Sequence, residues 1–168
     1  MNKKYQSFLV RDWQPSDREA AAEVIRQVLE EYGLPWQPEE ADRDVIEVES
    51  AYLEVGGEFW VIEQHGVVLG TAAYQPIARG KNAVEIRKMY LLPQVRRRGL
   101  GVYLLEQLEL AIAIKSYQEI WIETATILKE AVRLYERNGY KPASGVETAR
   151  CDLVYSKQLR PLNQLKNR

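Results

Sequence analysis

Val84–Gly101 reads VEIRKMYLLPQVRRRGLG, and the change of character inside it decides the fold. Before Pro93, β-branched and aromatic residues interleave with polar ones, which predicts a strand over 84–92 that the proline terminates. After it, Arg96-Arg97-Arg98-Gly99-Leu100-Gly101 runs into Val102, Tyr103, Leu104, Leu105 and Leu108. That apolar series predicts a helix from Gly99 to about Ser116. Strand, glycine turn and helix start together place unpaired backbone N–H groups at the positive end of a helix dipole, which is a seat for an anion. Gly99 and Gly101 lack the Cβ atoms that would hold a phosphate off the backbone. A tight helix entry uses the same Gly-x-Gly, so the turn gains weight only from its neighbours.

Upstream, Phe59–Gln64 and Val67–Tyr74 flank His65-Gly66 and predict an antiparallel hairpin. The polar loop Ala78–Asn82 returns the chain to the strand at Val84 as a meander. Phe8–Arg11 predicts a first strand. Ser16-Asp17-Arg18-Glu19 has the form of a capping box ahead of a helix bearing Ala21, Val24, Ile25, Val28, Leu29 and Tyr32 on one face, ended by Gly33. Pro35 and Pro38 break the chain, and an acidic helix is expected from Glu39 to about Val48. Downstream, the pattern predicts a strand at Glu119–Thr124, a helix at Lys129–Asn138 ended by Gly139, a strand from Tyr140 and a last one at about Arg150–Leu159. The tail from Pro161 to Arg168 is polar and is expected to fray. Strand, helix, strand implies a right-handed parallel crossover from the Val84 strand to the Glu119 strand. The expectation is one α/β domain over 1–168, its core at about 8–159, built on a mostly antiparallel twisted sheet of about seven strands with about four flanking helices.

The totals narrow the function classes. A chain of 168 residues with 46% apolar and 28% charged residues can bury a core without covalent staples. A net charge of −1 gives no overall bias toward nucleic acid or a membrane surface, so the arginine cluster is local chemistry. The single cysteine, Cys151, forbids an intrachain disulfide, and with the single histidine, His65, it falls short of a Cys/His metal site. No metal is expected. MNKKYQSFLV lacks the apolar run of a signal peptide, so a cytoplasmic location is expected.

Arg96-x-x-Gly99-x-Gly101 after a strand, followed by Ala131-Val132-Arg133-Leu134-Tyr135-Glu136-Arg137-Asn138-Gly139-Tyr140, resembles the GNAT superfamily of N-acetyltransferases. The two motifs occur in that family's order, and the resemblance runs from Phe8 to about Leu159. It implies a sheet whose fourth and fifth strands are parallel and splayed, and acetyl-CoA as co-substrate. The pyrophosphate would sit on Arg96, Arg97, Arg98, Gly99, Leu100 and Gly101. The pantetheine arm would bond the strand edge at Met89, Tyr90 and Leu91, with Thr124 at the end of the facing strand. Leu128 stands where the family often has an asparagine against the cofactor arm.

The resemblance also implies catalytic roles. Acetyl transfer to an amine needs a base for the ammonium proton and a proton donor for the departing thiolate. Glu85 matches the glutamate base of some members, and a solvent-facing residue paired with Arg87 is the plainer alternative. Tyr135 matches the tyrosine that protonates the thiolate; a bonded core tyrosine is its alternative. Cys151, outside both motifs, reads as a buried small side chain, which favours direct attack in a ternary complex.

The acceptor is expected to be a small-molecule primary amine. An acyl-CoA-binding sensor without catalysis, or acetylation of a protein amine, are the alternatives. Assembly as a homodimer is compatible with the family. Acidic residues between Glu30 and Glu49 would favour a cationic acceptor if they faced the cleft. Arg79, Lys81, Arg87 and Lys88 would instead favour a carboxylate, and Trp36, Tyr52, Trp60, Tyr74 and Tyr90 are candidate linings.

Overall fold

The computed structural model describes residues 1–160 and residue 162, so the expected frayed tail lies almost entirely outside the described residues. Among the described residues the strands are β1 Asn2–Tyr5, β2 Phe8–Asp12, β3 Glu58–Gln64, β4 Val67–Ile77, β5 Ala83–Leu91, β6 Glu119–Thr124, β7 Lys141–Pro142 and β8 Leu153–Gln158. They form one eight-stranded sheet in the order β1-β2-β3-β4-β5-β6-β8-β7. The helices are α1 Arg18–Glu31, α2 Arg43–Ile46, α3 Leu100–Ile114 and α4 Lys129–Arg137.

Every neighbouring pair is antiparallel except β5 and β6, the strands counted fourth and fifth from the sequence. Their parallel pairing covers only Ala83–Glu85 against Glu119–Trp121. Beyond it β5 stays bonded to β4 as far as Leu91, and β6 stays bonded to β8 as far as Thr124. The two strands therefore diverge with backbone groups facing an open slot, and that slot positions the site.

β3 explains why its sequence is continuously apolar rather than alternating. Trp60 and Ile62 enter the core with β2, β5 and α3, whereas Phe59 and Val61 enter a second core with α1 and Tyr52. A strand covered on both faces needs apolar residues on both. The longest helix, α3, spans one core with Leu100, Leu104, Leu105, Leu108 and Ile112 at helical spacing.

Four local expectations are corrected. Asn2–Tyr5, assigned no element from the sequence, pairs with β2 and adds a strand. The capping interaction lies upstream of Ser16: the Gln14 backbone N–H donates to Asp17 Oδ2 at 2.8 Å, around a 3-10 turn at Pro15–Asp17. The acidic helix shrinks to the single turn of α2 followed by a π turn at Glu49–Leu53, because Asp42 is drawn inward by buried cations. The strand expected from Tyr140 is the short β7, and the last strand starts at Leu153, leaving 143–152 as a loop across the slot.

Candidate active site

β5 carries a bulge that shapes the site. Its register against β4 slips between Thr71–Tyr90 and Ala73–Arg87, and Lys88 adopts φ +51°. An extra residue in one strand bends it and re-aims its side chains. The buried Thr71 hydroxyl holds the bulge by donating to the Lys88 carbonyl at 2.6 Å.

A cavity of about 330 Å³ fills the splay. Met89, Tyr90 and Leu91 line it from β5, Thr124 from the end of β6, Tyr135 from α4, and Arg96, Arg97, Gly99 and Gly101 from the turn into α3. Leu128 adds an apolar wall. A second cavity of about 50 Å³ adjoins it, lined by Glu85, Arg87, Glu123 and Thr148. Arg87 and Glu123 also line the first cavity, and Ile86, Lys88, Tyr90, Arg150 and Cys151 line both. The structure thus brings together most of the residues picked from the sequence.

The turn fits a phosphate through its backbone. Gly99 has φ +75° and precedes the first residue of α3, and the first helical bond runs from the Tyr103 N–H to the Gly99 carbonyl at 3.1 Å. The N–H groups of Gly99, Leu100, Gly101 and Val102 consequently have no backbone acceptor among the described residues. A residue at φ > 0 suits glycine. Gly101 meets α4: a Cβ there would lie 3.4 Å from Leu134 Cδ2.

The arginine side chains divide differently. Arg96 forms a bidentate pair with Glu31 at 2.7 Å on both arms, and its Nε donates to the Leu91 carbonyl at 2.8 Å. It ties the turn to α1 and to the end of β5. Arg97 is 86% exposed and approaches Glu130 at 3.4 Å. Arg98 lies with its guanidinium over the Phe8 ring at 5.9 Å, and the Leu100 side chain belongs to the core. At Arg98 and Leu100, what remains for an anion is backbone.

Tyr135 is almost completely buried, in edge and tilted contact with Tyr140 and Tyr155. Their hydroxyls donate to Glu109 and Glu136, while the Tyr135 hydroxyl has no protein partner among the described residues and lines the cavity. Burial, reinforced by Tyr90 and Cys151, pushes its phenol far above the ordinary range. It stays protonated throughout the working range of pH.

Glu85 lies in the β5 stretch that still pairs with β6, its side chain 12% exposed and 3.6 Å from Arg87 Nε. Burial raises its carboxyl to about 6; Arg87 opposes this, and the fields of Glu123 and Glu147 add to it. Such a carboxyl is ionised at neutral pH yet basic enough to accept a proton. Cys151 lines the cavity, which its position outside the motifs did not suggest. Burial raises its thiol to about 11, the reverse of what activates a nucleophilic cysteine.

Beside the second cavity lies a charge cluster that the sequence did not reveal. Asp42 is fully buried and receives Lys88 Nζ at 2.7 Å, the Arg150 guanidinium through Nη2 at 2.6 Å and the Gln37 N–H at 2.9 Å. Burial opposes ionisation, but these partners hold its carboxyl down to about 2. Tyr52 donates to Asp44, which also stands near Lys88 and Arg87. Asp42 and Asp44 are therefore spent on internal cations rather than on a cationic ligand, and Lys88 and Arg150 are spent on them. Arg79 stacks on Trp121 and donates to Ser144 and Gly145, clipping the β7–β8 loop to the β4–β5 loop. Among the aromatic candidates, Tyr52, Trp60 and Tyr74 are core, and Tyr90 lines the cavity. Asp42 and Arg150 meet across most of the chain, so no local pattern could have paired them.

Two parallel strands opened into a slot, with free helix-start amides at one end and a buried tyrosine hydroxyl in the wall, define an α/β domain for an extended ligand carrying an anionic group. The Acetyltransferase (GNAT) family matches residues 23–140. The chain belongs to that family. The uncharacterized N-acetyltransferase YjgM of Escherichia coli (strain K12) is 36% identical over 81% of this chain and 83% of its own length. N-acetyltransferase 8F1 of Mus musculus is 29% identical over 65% of this chain and 52% of its own length. An acetyltransferase of the family from Staphylococcus aureus Mu50 superposes with a TM-score of 0.83 at 20% identity, over 91% of this chain and 99% of its own. The putative acetyltransferase yncA of Salmonella typhimurium, solved with acetyl-CoA, gives 0.72 at 21% identity over 92% of this chain and 95% of its own. Family membership supports acetyl-CoA-dependent acetyl transfer. Among the described residues no helix is long and apolar enough to cross a membrane.

Proposed function

We propose that this chain acetylates a primary amine of a small molecule by direct attack in a ternary complex with acetyl-CoA. The observation that carries the reading is the pair of adjoining cavities, one holding the Tyr135 hydroxyl and the other Glu85, with Tyr90, Arg150 and Cys151 shared between them. Acetyl-CoA supplies the activated acetyl group. The α3 turn holds its diphosphate on backbone N–H groups, and the β5 edge at Met89–Leu91, whose Leu91 carbonyl already accepts from Arg96 Nε, bonds the arm through its remaining groups. Glu85 takes a proton from the ammonium form of the acceptor, and Tyr135 holds a proton for the departing sulfur. Cys151, protonated at neutral pH, takes no covalent part. The small acceptor cavity supports an aminoalkyl end as the group admitted.

The test has two stages. Coenzyme A at about a hundred times its dissociation constant should stabilise the protein by about 2.7 kcal/mol, a melting shift of roughly 5–10 °C. Thiol release from acetyl-CoA is then measured over polyamines, amino acids, aminoglycosides, aryl amines and a lysine-bearing peptide. Turnover of the peptide alone overturns the small-molecule part. Coenzyme A binding with no turnover on any amine overturns catalysis and leaves a binding protein.

The raised carboxyl of Glu85 fixes a pH signature. A base works ionised, so kcat/KM for the amine should climb as pH rises through about 6 and flatten above it. Glu85→Gln should lose that limb and lower the plateau by about 10²-fold. An unchanged acid limb in Glu85→Gln would assign the proton to another group.

A further inference from the structure

Resting on the coenzyme A reading above, we infer that Tyr5 and Gln6 are positioning residues for the diphosphate seat, gripping the Arg98 carbonyl so that the Gly99 N–H is aimed into the cavity. Tyr5 Oη donates to the Arg98 carbonyl at 3.1 Å and Gln6 Nε2 donates to the same oxygen at 3.2 Å. A trans peptide is planar, so the carbonyl of one residue and the N–H of the next point in opposite directions. Holding the Arg98 oxygen toward the hairpin turns the Gly99 N–H the other way, and Gly99 lines the cavity.

This peptide needs holding. Gly99, on its N–H side, lies in the left-handed region at φ +75°, where glycine gives no resistance of its own, and Arg97, the residue before Arg98, is left-handed as well at φ +61°. A flip would replace an N–H donor by a carbonyl oxygen at the seat, turning attraction for a phosphate into repulsion. Tyr5 and Gln6 supply the only hydrogen bonds that this carbonyl accepts among the described residues.

The hairpin that carries them is anchored along α3. The Tyr5 ring stacks on Tyr103 with centroids 4.3 Å apart, and Lys3 Nζ donates to Gln107 Oε1 at 2.7 Å one helical turn further on. Pairing of β1 with β2 sets the turn at Gln6, itself at φ +53°. The brace thus joins the N-terminal strand to the start of α3 at the point where the anion would sit.

The experiment is calorimetric titration of coenzyme A and of pantetheine, which lacks the diphosphate, into the full chain. It compares wild type with Tyr5→Phe, Gln6→Met and the double variant. Tyr5→Phe keeps the stack on Tyr103 and removes only the donor. The double variant should weaken coenzyme A about tenfold and leave pantetheine within about twofold. If the double variant does not fold, Tyr5→Phe alone should weaken coenzyme A about threefold. Unchanged coenzyme A affinity overturns the inference, and so does an equal loss for both ligands, which marks a structural role alone. A wild-type chain that binds neither ligand overturns the coenzyme A reading itself.

Discussion

Replacing Tyr135 with phenylalanine is expected to lower kcat for amine acetylation by about 10³-fold, while the affinity for coenzyme A changes less than about threefold. The substitution removes one oxygen from a side chain whose ring packs between Tyr140 and Tyr155, so the fold keeps its contacts. Among the described residues that oxygen has no protein partner to orphan, so its removal leaves no unsatisfied group behind there. Stability should therefore stay near that of the parent while the chemical step slows. Burial makes the phenolate costly, so in the proposed mechanism Tyr135 serves first as a hydrogen-bond donor to sulfur and yields its proton only as negative charge builds there. A catalytic contribution of this kind belongs to the transition state, and kcat rather than KM should carry the loss. Full activity in Tyr135→Phe, measured by thiol release at saturating acetyl-CoA, would remove Tyr135 from the mechanism.

How much of this could be read without coordinates depends on sequence separation. The β5 strand, its proline stop and the helix after Gly99 are local patterns, and they survive to within a residue or two. The β5–β6 crossover follows from the order strand, helix, strand. Tyr135 and Gly99 stand in short motifs whose context could be checked. Asp42 could not be found that way: it sits in an acidic run, and its burial comes from Lys88 and Arg150, both distant in sequence. The same acidic run looked helical because its own residues permit a helix; tertiary pairing of Asp42 overrode that propensity. Asn2–Tyr5 carries two lysines and a tyrosine with no apolar alternation, so nothing marks it as a strand until β2 and α3 supply its partners. Cys151 lies outside both motifs, and its place in the cavity wall is not legible from them, because motifs mark positions along the chain while the slot is walled by a loop that returns from β7.

Gly99→Val is expected to weaken coenzyme A by about 10³-fold, more than charge reversal at any arginine of the turn. Two effects add at this position. A β-branched residue at φ +75° occupies a region that L side chains avoid, costing about 1–3 kcal/mol. Its Cβ would also stand 2.6 Å from Tyr5 Oη, and that hydroxyl is held by its bond to Arg98 and by the stack on Tyr103. Either the tyrosine moves or the turn does, and both misdirect the N–H groups of 99–102. Arg97→Glu changes a largely exposed side chain whose nearest partner is Glu130, and solvent screens it, so a loss of about tenfold that shrinks at high salt is expected. Arg96→Glu would oppose Glu31 and act on the fold through α1 more than on the ligand. The comparison is made by calorimetry on variants whose circular dichroism matches the parent, with Gly99→Ala as an intermediate step. A larger loss in Arg97→Glu than in Gly99→Val would mean that side-chain charge, not the backbone, holds the anion. The order follows from where the arginines already are: Arg96 and Arg98 are occupied by Glu31, Leu91 and Phe8, whereas the N–H groups of 99–102 have no backbone acceptor among the described residues.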